Sequence, residues 1–152
     1  MKRLTCLFAL FLLVGIAPGA WAGAKEEIEQ ADRQFIQAFN EGNAEAVGTF
    51  YAEDAHLTPI VSPFRVEGRE AIQVLYAGFF RAFPVHRVVI RQPSIRVYNG
   101  TTAVTSAYYT LTLINKAGKA RRVHARASLT RVKLGGRWLI VNHHSSRLPA
   151  PG

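Results

Sequence analysis

GGRWLIVNHHSSRLP, residues 135–149, is the stretch that decides the fold. A Gly-Gly pair suited to a tight turn opens into Trp138, Leu139, Ile140 and Val141, and these strand formers run straight into Asn142, His143, His144, Ser145 and Ser146. Such an order describes a buried strand that delivers polar side chains at its far end. Alternation along a strand predicts Leu139, Val141, His143 and Ser145 on one face and Trp138, Ile140, Asn142 and His144 on the other. The two histidines are thereby given different surroundings. Trp138 is expected to be buried at the base of the strand, its indole N–H on a backbone carbonyl.

Upstream of this strand three more segments carry the same pattern, over residues 86–98, 101–114 and 120–133. Asn99-Gly100, a loop over 115–119 containing Gly118, and Gly135-Gly136 are hairpin connections, so the four form an antiparallel meander. Further upstream the period changes from two to 3.6. Over 25–40, Ile28, Ala31, Phe35, Ala38 and Phe39 recur at helical spacing, with Glu26, Glu27 and Glu29 in the first turn. Gly42 is expected as a left-handed cap, and Asn43 as the N-cap of a short second helix reaching Tyr51. Residues 56–61 read as a short extended segment that Pro59 confines to an edge. A third helix over 69–83 places Ile72, Leu75, Tyr76, Phe79 and Phe83 on one face before Pro84 stops it. Strands this long must twist and curl. The expected fold class is therefore α+β: a cone in which a strongly curved antiparallel sheet wraps three N-terminal helices.

Residues 1–22 are set apart from this fold. Lys2 and Arg3 precede an apolar run over 7–17 and then Ala20, Trp21 and Ala22, the order of a secretory signal peptide cleaved before Gly23. The expected location is periplasmic or secreted, with no stable membrane anchor once the leader is cleaved, because the run is shorter than the roughly 20 residues of a membrane span. Cys6, the chain's one cysteine, falls within the leader, which excludes disulfides and thiol chemistry from the mature protein. The remaining 23–152 suit one domain. All 10 carboxylates lie at or before Glu70. Residues 71–152 carry 13 Lys and Arg and no Asp or Glu. These cations stand singly on alternating strands, the pattern of a solvated or interfacial sheet face, so nucleic acid is not the expected partner.

The order helix, short helix, YAEDA, rim segment, helix, long meander resembles the nuclear transport factor 2-like superfamily. Within it, the chain is most similar to SnoaL-like bacterial proteins and to the association domain of calcium/calmodulin-dependent kinase II. GNAEAVGTFYAEDAHLTP, ARASLTRVKLGGRW and IVNHHSSRLP carry the resemblance, which spans the whole mature chain. It implies a pocket between sheet and helices, a homodimer packed through the outer sheet face, and activities from isomerisation and cyclisation to binding alone, so fold does not settle function. Where ketosteroid isomerases place a general-base aspartate, this chain has Thr58 and Pro59. The cationic pocket positions of the kinase domain correspond to Ile72, Tyr109, Leu129 and Ser145, and neither site is reproduced.

Alternation predicts a concave face of Ala103, Thr105, Ala107, Tyr109, Leu111, Ala125, Ala127, Leu129, Leu139, Val141, His143 and Ser145. The stacked alanines either let the helices approach closely or leave a pocket. Candidate ligand-binding residues are Tyr51, His56, Tyr76, Phe79, Tyr109, Leu129, His143 and Ser145. His143 is the candidate catalytic acid or base, with Tyr109 as hydrogen-bond donor. Arg126, Ser128, Asn142 and His144 fall on the convex face as interface candidates. Neither metal-ligand spacing nor a nucleotide motif occurs, so no metal or cofactor is expected. The leading expectation is an exported binder of a small apolar or carbonyl-containing molecule. The alternatives are an isomerase, cyclase or dehydratase using His143, and a sheet-mediated protein-interaction module.

Overall fold

The computed structural model describes residues 19–149, so the expected leader lies outside the described residues except for its last four positions. Three helices, α1 (Gly19–Asn40), α2 (Ala44–Gly48) and α3 (Arg69–Ala82), pack with a curved sheet of six strands. The strands are β1 (Tyr51–Thr58), β2 (Val66–Glu67), β3 (Val85–Tyr98), β4 (Thr102–Ile114), β5 (Ala120–Leu134) and β6 (Arg137–Arg147). Their order across the sheet is β2-β1-β6-β5-β4-β3. The meander is antiparallel throughout, as expected, but β1 joins the edge of β6 in parallel, which makes the sheet mixed.

Local chemistry explains most boundaries. Gly42 adopts φ +72°, and the Asn43 side chain accepts from the Ala46 N–H at 2.9 Å, closing one helix and opening the next. Asn99 and Gly100 both have positive φ, as a two-residue hairpin requires. At Gly48 a Cβ would lie 2.2 Å from the Gln73 side chain, so the absence of a side chain is what lets α2 pack on α3. The ring nitrogens of His86 each lie 2.8 Å from a carbonyl, of Phe83 and of Phe39, tying the ends of α3 and α1 to β3.

Three expectations change. Tyr51 opens β1 instead of closing the second helix, because the Ile140 N–H donates to the Phe50 carbonyl and draws the chain into the sheet at that point. β3 is interrupted at Gln92-Pro93, where proline cannot donate to the ladder and Gln92 takes φ +49°. The largest change is in β6: Arg131 pairs with Ile140 but Thr130 with Asn142, leaving Val141 as an extra residue. This bulge inverts the alternation part-way along the strand. Trp138 and Ile140, predicted opposite His143, share the concave face with His143 and Ser145, while Leu139 takes the other side.

The main core joins α1, α2 and α3 to β1, β4, β5 and β6 through Phe39, Val47, Tyr51, Ile72, Leu111 and Ile140, among others. A smaller cluster lies toward the start of α1, where Ala24 and Ile28 meet Ala103 and Trp138. Trp138 is buried there as expected, but its N–H donates to the Glu27 carboxylate at 2.7 Å, not to a carbonyl, because α1 continues past this point. The concave alanines divide the two predicted outcomes. Ala103 is fully buried against α1, whereas Ala107 and Ala127 border a cavity.

Candidate functional site

A cavity of about 600 Å³ lies between the sheet, α1 and α3. The volume is in the range of small-molecule sites. Its apolar wall comes from helix faces chosen by 3.6 periodicity (Phe35, Ile36 and Phe39 on α1; Leu75 and Phe79 on α3) and from concave positions of β3 and β4, including Val88, Ile90 and Leu111. Pro59, Ile60 and Val61 contribute the rim that follows β1. One end is polar, bordered by Lys25, Glu29, Asp32 and Arg33 of α1.

The structure brings six of the eight predicted ligand-binding residues to this cavity: Tyr76, Phe79, Tyr109, Leu129, His143 and Ser145. Tyr51 lies behind the wall, fully buried, with its hydroxyl 2.7 Å from His143 Nδ1 and 3.0 Å from the Tyr76 hydroxyl. His56 does not border the cavity; it sits on β1 in register with Glu67 on β2 and Asn142 on β6. Arg126, Ser128, Asn142 and His144 are all exposed on the convex face, with the Arg126 Nε–H donating to Ser146 Oγ at 3.1 Å.

His143 is held from several sides. Its Nε2 is 3.2 Å from Ser145 Oγ, the Tyr51 ring stacks on it at 6.1 Å between centroids, and Phe35 meets it edge-on. Burial, reinforced by the positive charge of Arg131, pushes its pKa down to about 3. Burial raises the phenols as well: Tyr51 well above its ordinary value, Tyr76 upward, and Tyr109 upward against the opposing pull of a hydrogen bond with Ser145. At neutral pH His143 and these three tyrosines are therefore uncharged donors and acceptors.

Sequence reasoning missed Arg131. It is 2% exposed, donates to Thr105 Oγ1 at 2.8 Å and forms an ion pair with Asp32 on α1. Burial lowers the arginine's pKa and raises that of Asp32, each opposed by its partner. The signal was present. The alternation that turns Ala127 and Leu129 inward also turns Arg131 inward, and Asp32 sits on the apolar stripe of α1 between Ile28 and Phe35. Among the described residues no group of three or more His, Cys, Asp or Glu side chains converges as metal ligands.

The calcium/calmodulin dependent protein kinase II association domain family matches this chain over residues 24–149. A solved Xanthomonas campestris protein, named as a candidate domain of that kind, is 34% identical, with a TM-score of 0.74 over 82% of this chain and 88% of its own. Two structures from Novosphingobium aromaticivorans share the fold. One is a candidate scytalone dehydratase (14% identity, TM-score 0.80, 88% of this chain and 89% of that one). The other is a nuclear transport factor 2-like protein with a cystatin-like fold (19%, 0.74, 86% of each). No curated protein sequence is significantly similar to this chain.

Proposed function

Since the chain belongs to the calcium/calmodulin dependent protein kinase II association domain family, with its nuclear transport factor 2-like cone, we propose that it is an exported protein that binds a small, largely apolar molecule carrying a carbonyl or hydroxyl group. The observation that carries this reading is the cavity itself: an apolar space of about 600 Å³ whose polar wall groups include His143, Ser145, Tyr109 and Tyr76. A few converging hydrogen-bonding groups on an apolar wall orient a ligand, and the wall supplies the affinity.

Binding is preferred to turnover because of His143. With its pKa pushed down to about 3, adding a proton at pH 7 costs about 5 kcal/mol, and a general base works best when its pKa lies near the working pH. Export rests on the leader-like start. Ala24, Glu27 and Ile28, which fasten α1 to the sheet, all lie beyond a cleavage before Gly23. The convex face carries the proposed homodimer contact around Arg126, Ser128, Asn142 and His144. Tyr108 and Val89 are exposed beside them, and tyrosine and arginine are favoured at interfaces.

Native mass spectrometry of the protein purified from its own host tests all three parts. The expected spectrum shows a dimer of chains starting near Gly23 with a retained molecule of a few hundred daltons, on the scale that such a cavity holds. A ligand-free spectrum, together with no change in melting temperature on adding aromatic ketones, would overturn the binding reading.

A further inference from the structure

Tyr76, Tyr51, His143 and Ser145 form one unbranched chain of hydrogen bonds, 3.0, 2.7 and 3.2 Å long in that order. Both of its end residues, Tyr76 and Ser145, border the cavity, whereas its middle hydroxyl, on Tyr51, is fully buried behind the wall. We infer that the cavity selects molecules offering a hydrogen-bond donor to one end of this chain and an acceptor to the other. The inference rests on the binding reading above and specifies its ligand class.

The reason is proton counting. Each hydroxyl owns one proton and a neutral imidazole owns one ring N–H, so every link in the chain must point the same way. In one arrangement Tyr76 donates to Tyr51, Tyr51 donates to His143 Nδ1, and His143 Nε2–H donates to Ser145. The Ser145 proton is then free for the ligand, and the Tyr76 oxygen can only accept. In the other arrangement all links reverse: Ser145 donates to Nε2, Nδ1–H donates to Tyr51, Tyr51 donates to Tyr76, and Tyr76 offers its proton to the ligand while Ser145 accepts. Neither arrangement lets both ends donate at once.

Charged arrangements that would break this rule are closed by burial, which disfavours an imidazolium at His143 and phenolates at Tyr51 and Tyr76. A hydroxy-ketone satisfies both ends in either orientation. A diketone leaves one oxygen facing an acceptor, and an unmatched polar contact of that kind costs about tenfold in affinity.

Titration calorimetry with the three hydroxyacetophenones and the three diacetylbenzenes tests this, the ring isomers covering different spacings between the two ends. In the native protein the best hydroxyacetophenone is expected to bind about tenfold more tightly than the best diacetylbenzene. Tyr51→Phe keeps the ring but cuts the chain, letting Tyr76 and Ser145 each donate independently, so the preference should fall to about twofold or less. Tyr76→Phe, which deletes one end, should abolish it also. Ser145→Ala only shortens the chain to His143 Nε2 and should retain it, and these two variants carry the test if Tyr51→Phe does not fold. Equal binding of both series by the native protein, or a preference that survives Tyr51→Phe or Tyr76→Phe, would overturn the coupling while leaving the binding reading in place. Failure of every probe to bind would overturn both.

Discussion

His143 ties the stability of the protein to pH. In the unfolded chain its imidazole titrates near 6.5, whereas in the fold burial holds it down to about 3. Between those values the unfolded state binds a proton that the folded state refuses, so folding stability falls as pH falls through this window, by about 1.4 kcal/mol per unit from this residue. The stabilisation is fully present above the unfolded value. Denaturant titrations of the native protein and of His143→Gln from pH 7 to pH 4 check this. The native protein should lose stability more steeply, and parallel curves would show that the ring is not buried neutral. The inward position of the histidine agrees with the sequence expectation, but the alternation counted from Leu139 does not account for it, because the bulge at Val141 turns Leu139 to the other side. Its depressed basicity was not legible at all. That property comes from Tyr51 and Phe35 packing on it, and Tyr51 had been placed at the end of a helix.

At the scale of elements, the sequence disclosed what depends on neighbours along the chain and hid what depends on neighbours across it. The helical stripes, the Asn43 cap and the hairpins at Asn99-Gly100 and Gly135-Gly136 are local, and all were readable. The bulge at Val141 is fixed by the pairing of β6 with β5 and β1, so alternation along β6 alone could not reveal that Trp138 and His143 share a face. The Asp32–Arg131 pair joins α1 to β5 across the concave side, and its value depends on both partners remaining. Arg131→Met would strand a carboxylate that is only a quarter exposed and should cost about 3 kcal/mol. The double variant Arg131→Met with Asp32→Leu should regain most of that loss, because two apolar side chains replace a pair that had to be desolvated. Chemical denaturation of the two variants decides the matter: equal losses would mean that the pair is not coupled.

For the whole molecule, the partition of charge governs self-association. Arg87, Arg91, Arg122 and Arg126 are exposed on the convex face of β3 and β5, and no carboxylate follows Glu70 in the sequence. Two copies meeting through this face bring like charges together, so the proposed dimer should tighten as salt screens them, the opposite of an interface held by ion pairs. Sedimentation equilibrium at about 50 mM and about 500 mM salt should show the dimer favoured at the higher concentration, where the screening length falls well below the 10 Å found at 0.1 M. Dissociation by added salt would place acidic groups in the contact and move it off the convex face.

The polar end of the cavity follows a different rule. Lys25, Glu29, Asp32 and Arg33 border it, and with Arg131 paired to Asp32 three cations meet two carboxylates there, in a chain whose formal net charge is +9. The carboxylates hold the local excess to one positive charge, so the field at this end is weak beside that over the arginine-bearing sheet face. An uncharged molecule therefore reaches the cavity by unguided diffusion, its association rate indifferent to ionic strength.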